Sequence, residues 1–518
     1  MNRNLKPKQC RLILGDQLNP NHSWFQKVSD DVCYLMIEAH SEVEYVTHHI
    51  QKIVAIFYAM RTFAKELEAK GHRVYYIHLD EKGKKSQSIA LGVKEFIKEN
   101  GCNEFHYQLP DEWRLDTELL QLSQELEKNG VKVQAFDTEH FLTPRDSFRQ
   151  IFKGKSFRME TFYRELRKKY QLLIDEDGKP WGDKWNFDSD NRKKYDGKVK
   201  ISERNWKPMN VGSVLSELEN IKSMGEIDSS SFYWPNNRES SLLLLRTFIH
   251  IYFTGFGDYQ DAMIENDPFL FHSCLSFSLN TKQISPMEVI EAAIKYYTEN
   301  KDKVSLATLE GFVRQILGWR EYMRGLYWNQ MPDYKNLNFF KHKVSLPSWY
   351  WTAETKMNCL KQSISQSLKL AYAHHIQRLM VIGNFSLLIG ADPDEVDIWY
   401  LGVYVDAFEW VEITNTRGMS QFADGGLAAS KPYVSSANYI DKMSNYCKNC
   451  DYNKKTKTDS NSCPFNSLYW HFFDRHRSLL ERNPRIGMVY HTWDKLNPKE
   501  QSAIRARAEF LLKNIESL

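Results

Sequence analysis

Four cysteines constrain this chain more than any other feature. Cys359, Cys447, Cys450 and Cys463 form a C…C-x2-C-x12-C pattern late in a 518-residue chain that holds only eight cysteines, and Pro464 follows the last of them. Four thiolates from one domain make a soft, tetrahedral sulfur set, which suits Zn(II) or an iron–sulfur cubane and little else.

The length exceeds what one compact core organises, so two or three domains are expected. Hydrophobic residues make up 42% and aromatic residues 14% of the chain, a load that suits ample cores, flat-ligand stacking or electron hopping. The formal net charge is only +3, which excludes a globally cationic nucleic-acid binder; such a partner has to meet a local basic patch. No apolar run approaches the roughly eighteen residues of a membrane span, and LLLLR at 242–246 stops at Arg246. The apolar run before Asp16 is too short for a signal-peptide core. These features point to a soluble, cytoplasmic protein, taken as a monomer. There Cys10, Cys33, Cys102 and Cys274 are free thiols and the clustered four are metal ligands.

Organisation changes along the chain. Short apolar runs at 11–18, 32–39, 73–79, 104–109 and 132–137 read as strands, and helical stretches lie between them at about 42–70, 87–100 and 115–129. The alternation predicts a parallel doubly wound domain over 1–140. Ligands of such sheets sit at the carboxyl ends of the strands, which singles out Gly15, Asp16, Gln17 and Glu38. No GxGxxG is present, and Asp16 equally suits a turn or a helix cap. Residues 141–240 read as a polar connector, with an exposed loop at 177–198 that contains Trp181 and Trp185. From 241 to 518 the pattern is helical.

Five segments of the helical half carry chemistry. TGFGDYQDAM (254–263) reads as a glycine-bearing turn before FHSCLSFSLNTKQISP (271–286), whose backbone N–H groups and hydroxyls suit a pyrophosphate and equally suit ordinary helix caps. FVRQILGWREYMRGLYW (312–328), AYAHHIQRLMVIGN (371–384) and DIWYLGVYVDAFEWVEITN (397–415) follow, with a histidine pair, Arg378, and Asp406 amid aromatics.

Together these segments resemble the cryptochrome/photolyase superfamily, and within it the iron–sulfur bacterial cryptochromes and photolyases, also called prokaryotic (6-4) photolyases. The resemblance runs nearly end to end. It is carried by GDQL at 15–18, QDAM at 260–263, HSCLS with the following ISP, RQ-x3-WRE at 314–321, HH-x2-R-x-M at 374–380 and the four-cysteine spacing.

The resemblance implies an α/β plus all-α protein: an N-terminal Rossmann-like antenna domain, a long connector, and an all-helical FAD-binding domain with a [4Fe-4S] cluster on Cys359, Cys447, Cys450 and Cys463, wrapped by Trp470, Phe472 and Phe473. Ser273, Leu275 and Ser276 would hold the flavin phosphates and ribityl chain. Arg378 would pair with Asp406 beside the isoalloxazine, and Glu412 stands where many relatives place an Asn. Trp399, Tyr400 and Trp351 match relay positions for flavin reduction.

His375, with His374, is the candidate acid. Gln315 and Tyr433 match the lesion pocket. Asp16, Gln17 and Glu38 would contact a 6,7-dimethyl-8-ribityllumazine antenna, and Asp188 would place a divalent cation such as Mg2+ near DNA. The implied partner is UV-damaged DNA, gripped through basic clusters at 164–169, 192–194, 454–457 and 475–477. The implied activity is light-driven repair of (6-4) photoproducts. The alternatives are a blue-light photoreceptor of the same fold and an iron–sulfur DNA-binding protein without photochemistry.

Overall fold

The computed structural model describes residues 6–79, 86–153, 157–204 and 206–518. Five short strands form one parallel sheet: β1 (Gln9–Ile13), β2 (Val32–Ile37), β3 (Val74–Ile77), β4 (Glu104–Gln108) and β5 (Lys132–Phe136), in the order β3-β2-β1-β4-β5. Gln9 is in register with Val32 on one side and Glu104 on the other. The order reverses between β1 and β4, which opens a ligand crevice at their carboxyl ends. Strand β2, between β3 and β1, is buried along its whole length. The strands fall where the apolar runs predict; β1 ends at Ile13 because Gly15 and Asp16 already turn.

The expected 42–70 helix is two, His40–Glu44 and α1 (Ile50–Ala69). His49 makes the break, since its ring accepts from Gln51 N at 3.1 Å and caps α1. Helices α2 (Ile89–Asn100) and α3 (Trp113–Lys128) complete the crossovers. Ser88 caps α2 through Leu91 N, and Gly101 ends it at φ +68°, a conformation natural to glycine. Cys10, Cys33 and Cys102 belong to this core, and burial raises their thiol pKa values, those of Cys33 and Cys102 to about 12 and about 11. They pack as small apolar groups.

By contacts the chain forms two units. The first comprises the described parts of Met1–Pro144, Glu203–Ile251 and Ser273–Tyr296; the second comprises those of Arg145–Ser202, Tyr252–His272 and Tyr297–Leu518. The second unit is helical. It includes α4 (Met159–Tyr170), α5 (Phe253–Tyr259), α6 (Asn358–Leu370), α7 (Pro393–Val403) and α8 (Pro464–Arg475), with π-helical stretches at Arg314–Arg320, Gln377–Gly383 and Thr414–Ser420. Among the described residues no helix is long and apolar enough to cross a membrane.

The glycines expected to form a turn at 254–263 lie inside helix α5 instead. They are packing glycines. A Cβ on Gly255 would sit 2.5 Å from the Phe271 ring, and one on Gly257 2.7 Å from the Thr308 backbone. Two segments can approach there only because no side chain intervenes.

Candidate functional site

A charged pair in the second unit anchors the candidate site. Arg378 lies on the π-helical stretch Gln377–Gly383, a geometry frequent at functional positions. Its Nη2 is 3.0 Å from Asp406 Oδ1 and its Nε donates to Ala373 O at 2.7 Å. The guanidinium lies 3.7 Å from the centre of the Tyr404 ring, a cation–π contact. Burial alone would favour a neutral Arg378, but Asp406 outweighs it and the side chain stays charged. Glu412, buried nearby in sequence, accepts from Thr416 Oγ1.

Aromatic rings lead away from this pair. Tyr400 donates its phenol to Arg378 O at 2.6 Å. The Trp399 ring is 5.3 Å from Tyr400, 6.0 Å from Tyr404 and 5.4 Å from Tyr350. Trp351 is 46% exposed. Trp399 and Tyr400 are thus brought together, and Tyr350, which the sequence reading missed, touches Trp399 and is the chain neighbour of Trp351. Its only sequence signal is its place beside Trp351.

The two histidines of HH-x2-R-x-M differ sharply. His374 is buried, stacks on His272 with centroids 4.4 Å apart, and neither ring nitrogen has a hydrogen-bond partner among the described residues. Desolvation first, then His272, His375 and Arg378, push its pKa well down. His375 is reached by solvent, yet surrounding protein lowers its pKa to about 4 through desolvation, Arg378 and His272. It is neutral at pH 7 in the DNA-free chain.

Gln315 is exposed on the Arg314–Arg320 stretch, and Tyr433 is half-buried with Arg192 and Asp188 in its field. Ser273, Leu275 and Ser276 fall in the first unit: Ser273 Oγ accepts from Leu275 N at 3.4 Å, and Ser276 opens the short helix Ser276–Asn280.

The four cysteines converge in the second unit. Cys359 starts on the first turn of α6, Cys447 lies in the turn Tyr446–Asn449, Cys450 follows it, and Cys463 precedes Pro464 at the start of α8. All four are free thiols. Desolvation raises the Cys359 pKa, and Cys463, Cys450 and Cys447 add to it, so the sulfurs lie in one another's field. They are not crowded around a point. Among the described residues the only three Cys, His or carboxylate ligand atoms within 4.8 Å of one another are those of Glu38, His78 and Glu217, whereas tetrahedral zinc at a Zn–S distance of ~2.3 Å holds its sulfurs about 3.8 Å apart. A cubane spreads its thiolates wider. The rings of Phe472 and Phe473 are engaged with Phe340 and Tyr490, and Trp470 stacks on Trp493.

Residues 11–232 match the model of the deoxyribodipyrimidine photo-lyase-related protein family. A (6-4) photolyase of Agrobacterium fabrum (strain C58 / ATCC 33970) is 40% identical over 514 residues, spanning 98% of this chain and 100% of that relative. The chain belongs to the (6-4) photolyase family. The crystal structure of a bacterial class III photolyase from Agrobacterium tumefaciens aligns with TM-score 0.58 at 15% identity, over 98% of each chain, a likeness of fold. The uncharacterized protein R855 of Acanthamoeba polyphaga mimivirus is 34% identical over 122 residues, 24% of this chain and 90% of its own.

Membership of the (6-4) photolyase family implies a flavin cofactor. Other residues that the sequence reading selected in this photolyase are already engaged. Asp16 is held by Lys282 at 2.8 Å; Gln17 accepts from Leu14 N and donates to Gln108 O; Glu38 takes two bonds from Arg61, one from Tyr76 and one from Leu79 N.

Both carboxylate oxygens of Asp188 are answered by guanidinium, Oδ1 by Arg314 at 3.1 Å and Oδ2 by Arg192. Of the basic clusters, Arg167 is buried against Leu172 O, Leu173 O and Trp185 O, while Lys193, Lys454, Lys457 and Arg477 pair with acids. At the end of β4, Gln108 is 1% exposed and neither of its amide atoms has a partner among the described residues.

Proposed function

We propose that this chain performs light-driven repair of (6-4) pyrimidine–pyrimidone photoproducts in UV-damaged DNA. The observation that carries the reading is 40% identity to a (6-4) photolyase across the whole length of both chains, joined to the Arg378–Asp406 pair and the two histidines of the second unit.

The residues suit FAD. A buried imidazole such as His374 with both nitrogens unpartnered marks a polar site that a ligand completes, and a fixed guanidinium suits a ring that gains negative charge. Bound FAD supplies the photoexcited electron that the lesion takes up and returns. Arg378, kept charged by Asp406, offsets negative charge beside it. Ser273, Leu275 and Ser276 are assigned to its phosphates and ribityl chain, and Glu412 to its polar edge. Trp399, Tyr400 and Trp351, with Tyr350, are assigned to its re-reduction.

His375 holds the proton that moves onto the hydroxyl or amino group as that group is transferred between the two bases of the lesion. Its low pKa makes it a strong acid once protonated, and the phosphates of bound DNA favour that protonated form. Gln315 and Tyr433 are assigned to hydrogen bonds with the extruded bases. Arg164, Lys169 and Lys455, which pair with no acid among the described residues, are assigned to phosphates, whereas Lys168 faces Glu165 at 3.9 Å.

Cys359, Cys447, Cys450 and Cys463 are assigned to a [4Fe-4S] cluster on the four-cysteine spacing that the family resemblance carries. About four irons per chain and absorption near ~410 nm are the expected signs; zinc without iron refutes it. Asp16, Gln17 and Glu38 are assigned to the antenna together with Gln108, whose side-chain amide has no partner among the described residues. Asp188 is assigned to the divalent cation, since each of its oxygens accepts from one arginine and keeps a second lone pair.

The deciding experiment illuminates the reduced protein with an oligonucleotide carrying a (6-4) lesion, in parallel with one carrying a cyclobutane dimer. Restoration of the first alone is expected; restoration of neither refutes the reading.

A further inference from the structure

Two backbone carbonyls clamp His272. Its Nδ1 lies 3.1 Å from Phe269 O and its Nε2 3.0 Å from Gln260 O. A carbonyl oxygen only accepts, so both bonds require N–H on both nitrogens, which is the imidazolium form. The ring is also fixed sideways: Phe256 meets it edge-on at 6.3 Å, and His374 stacks on it, 14° from coplanar. His374 brings no hydrogen bond of its own to compete for a proton. The groups facing this stack include His375 and Arg378, and the carboxylate of Asp406 is bonded to Arg378.

We propose that His272 is a fixed imidazolium, a positioning residue that holds the stacked His374 ring neutral and drives the His375 proton toward the lesion. The inference rests on His375 being the proton donor of repair. Its physical basis is the Coulomb field of one half-buried charge on neighbouring imidazoles, which disfavours a second positive charge there. The clamp holds both His272 protons on carbonyls, so His272 acts through its charge and does not itself donate.

The test uses full-length protein labelled with 15N-histidine. One ring is expected with both nitrogens at imidazolium shifts through pH 8, and that signal is expected to vanish in His272→Gln. Absence of any such ring in the wild type overturns the proposal, as does its persistence in the variant. The pH profile of (6-4) repair gives the second readout. In His272→Gln its basic limb is expected to move upward by about one pH unit, while His272→Lys, which keeps a cation, is expected to retain the wild-type limb. Unchanged profiles in both overturn the proposal. Should His272→Gln fail to fold, His272→Asn serves the same purpose. Absence of repair in the wild type would refute the role of His375 and leave the labelled-histidine measurement to decide the protonation of His272.

Discussion

Trp399 donates its indole N–H to the carbonyl of Tyr350 across 3.1 Å, and the two rings meet edge to face with centroids 5.4 Å apart. The bond locks the indole between Tyr350 on one side and Tyr400 and Tyr404 on the other. Electron hopping depends steeply on such separations, so the locked ring is the step most exposed to substitution. Trp399→Phe is expected to slow flavin photoreduction about tenfold or more, equivalent to ~1.4 kcal/mol on the barrier. Time-resolved absorption under blue light checks this; an unchanged rate would assign the route to other aromatics.

A buried histidine pair sets an acid limit on stability. His342 Nε2 and His476 Nε2 are 3.0 Å apart, and Arg475 Nε donates to His476 at 3.1 Å. Desolvation, with Arg475 beside both rings, lowers each pKa to about 3. Both imidazoles are neutral when folded and bind protons more readily when unfolded. Their contribution is therefore flat above about pH 6.5, and stability falls as pH drops below that value, by at least ~1.4 kcal/mol per pH unit. Urea midpoints between pH 7 and pH 4.5 measure the slope, and His476→Phe is expected to flatten it.

Lys282 joins two buried carboxylates of the first unit. Its Nζ is 2.8 Å from Asp16 Oδ2 and 2.9 Å from Asp111 Oδ2, and it also donates to Asp16 O at 2.7 Å. Lys282→Met leaves two buried acids facing each other without a cation. A loss of ~3–5 kcal/mol is expected, read as a lowered denaturant midpoint. A loss under ~1 kcal/mol would mean that the crevice rehydrates freely.

Removing one thiol from the four-cysteine centre should discharge the whole centre. Cys359→Ser is expected to bring iron per chain to near zero and abolish the ~410 nm band. The Tm should drop as well, because a cluster held on Cys359, Cys447, Cys450 and Cys463 would tie α6 and α8 to the Tyr446–Asn449 turn. Iron retained at the wild-type level in that variant would remove Cys359 from the ligand set.

The parallel sheet, the helical second half and the cysteine set are legible from residue order, because alternation and ligand spacing are local signals. The helical packing of Gly255 and Gly257 is not, since their partners Phe271 and Thr308 lie in other segments. The commitment of Asp16 is hidden in the same way: its cation, Lys282, is 266 residues further along the chain.

Sequence alone settled the fold class, the family motifs and the four thiols, whose identity depends on residue type and spacing. Tertiary structure alone decided which polar groups remain available. It gave Asp16, Gln17, Glu38 and Asp188 internal partners, left the side chains of Gln108 and His374 without one among the described residues, and put two carbonyls on His272. The reason is physical: satisfying a buried donor or acceptor depends on atoms within about 3 Å, and in a chain of this length those atoms come from segments that no local pattern connects.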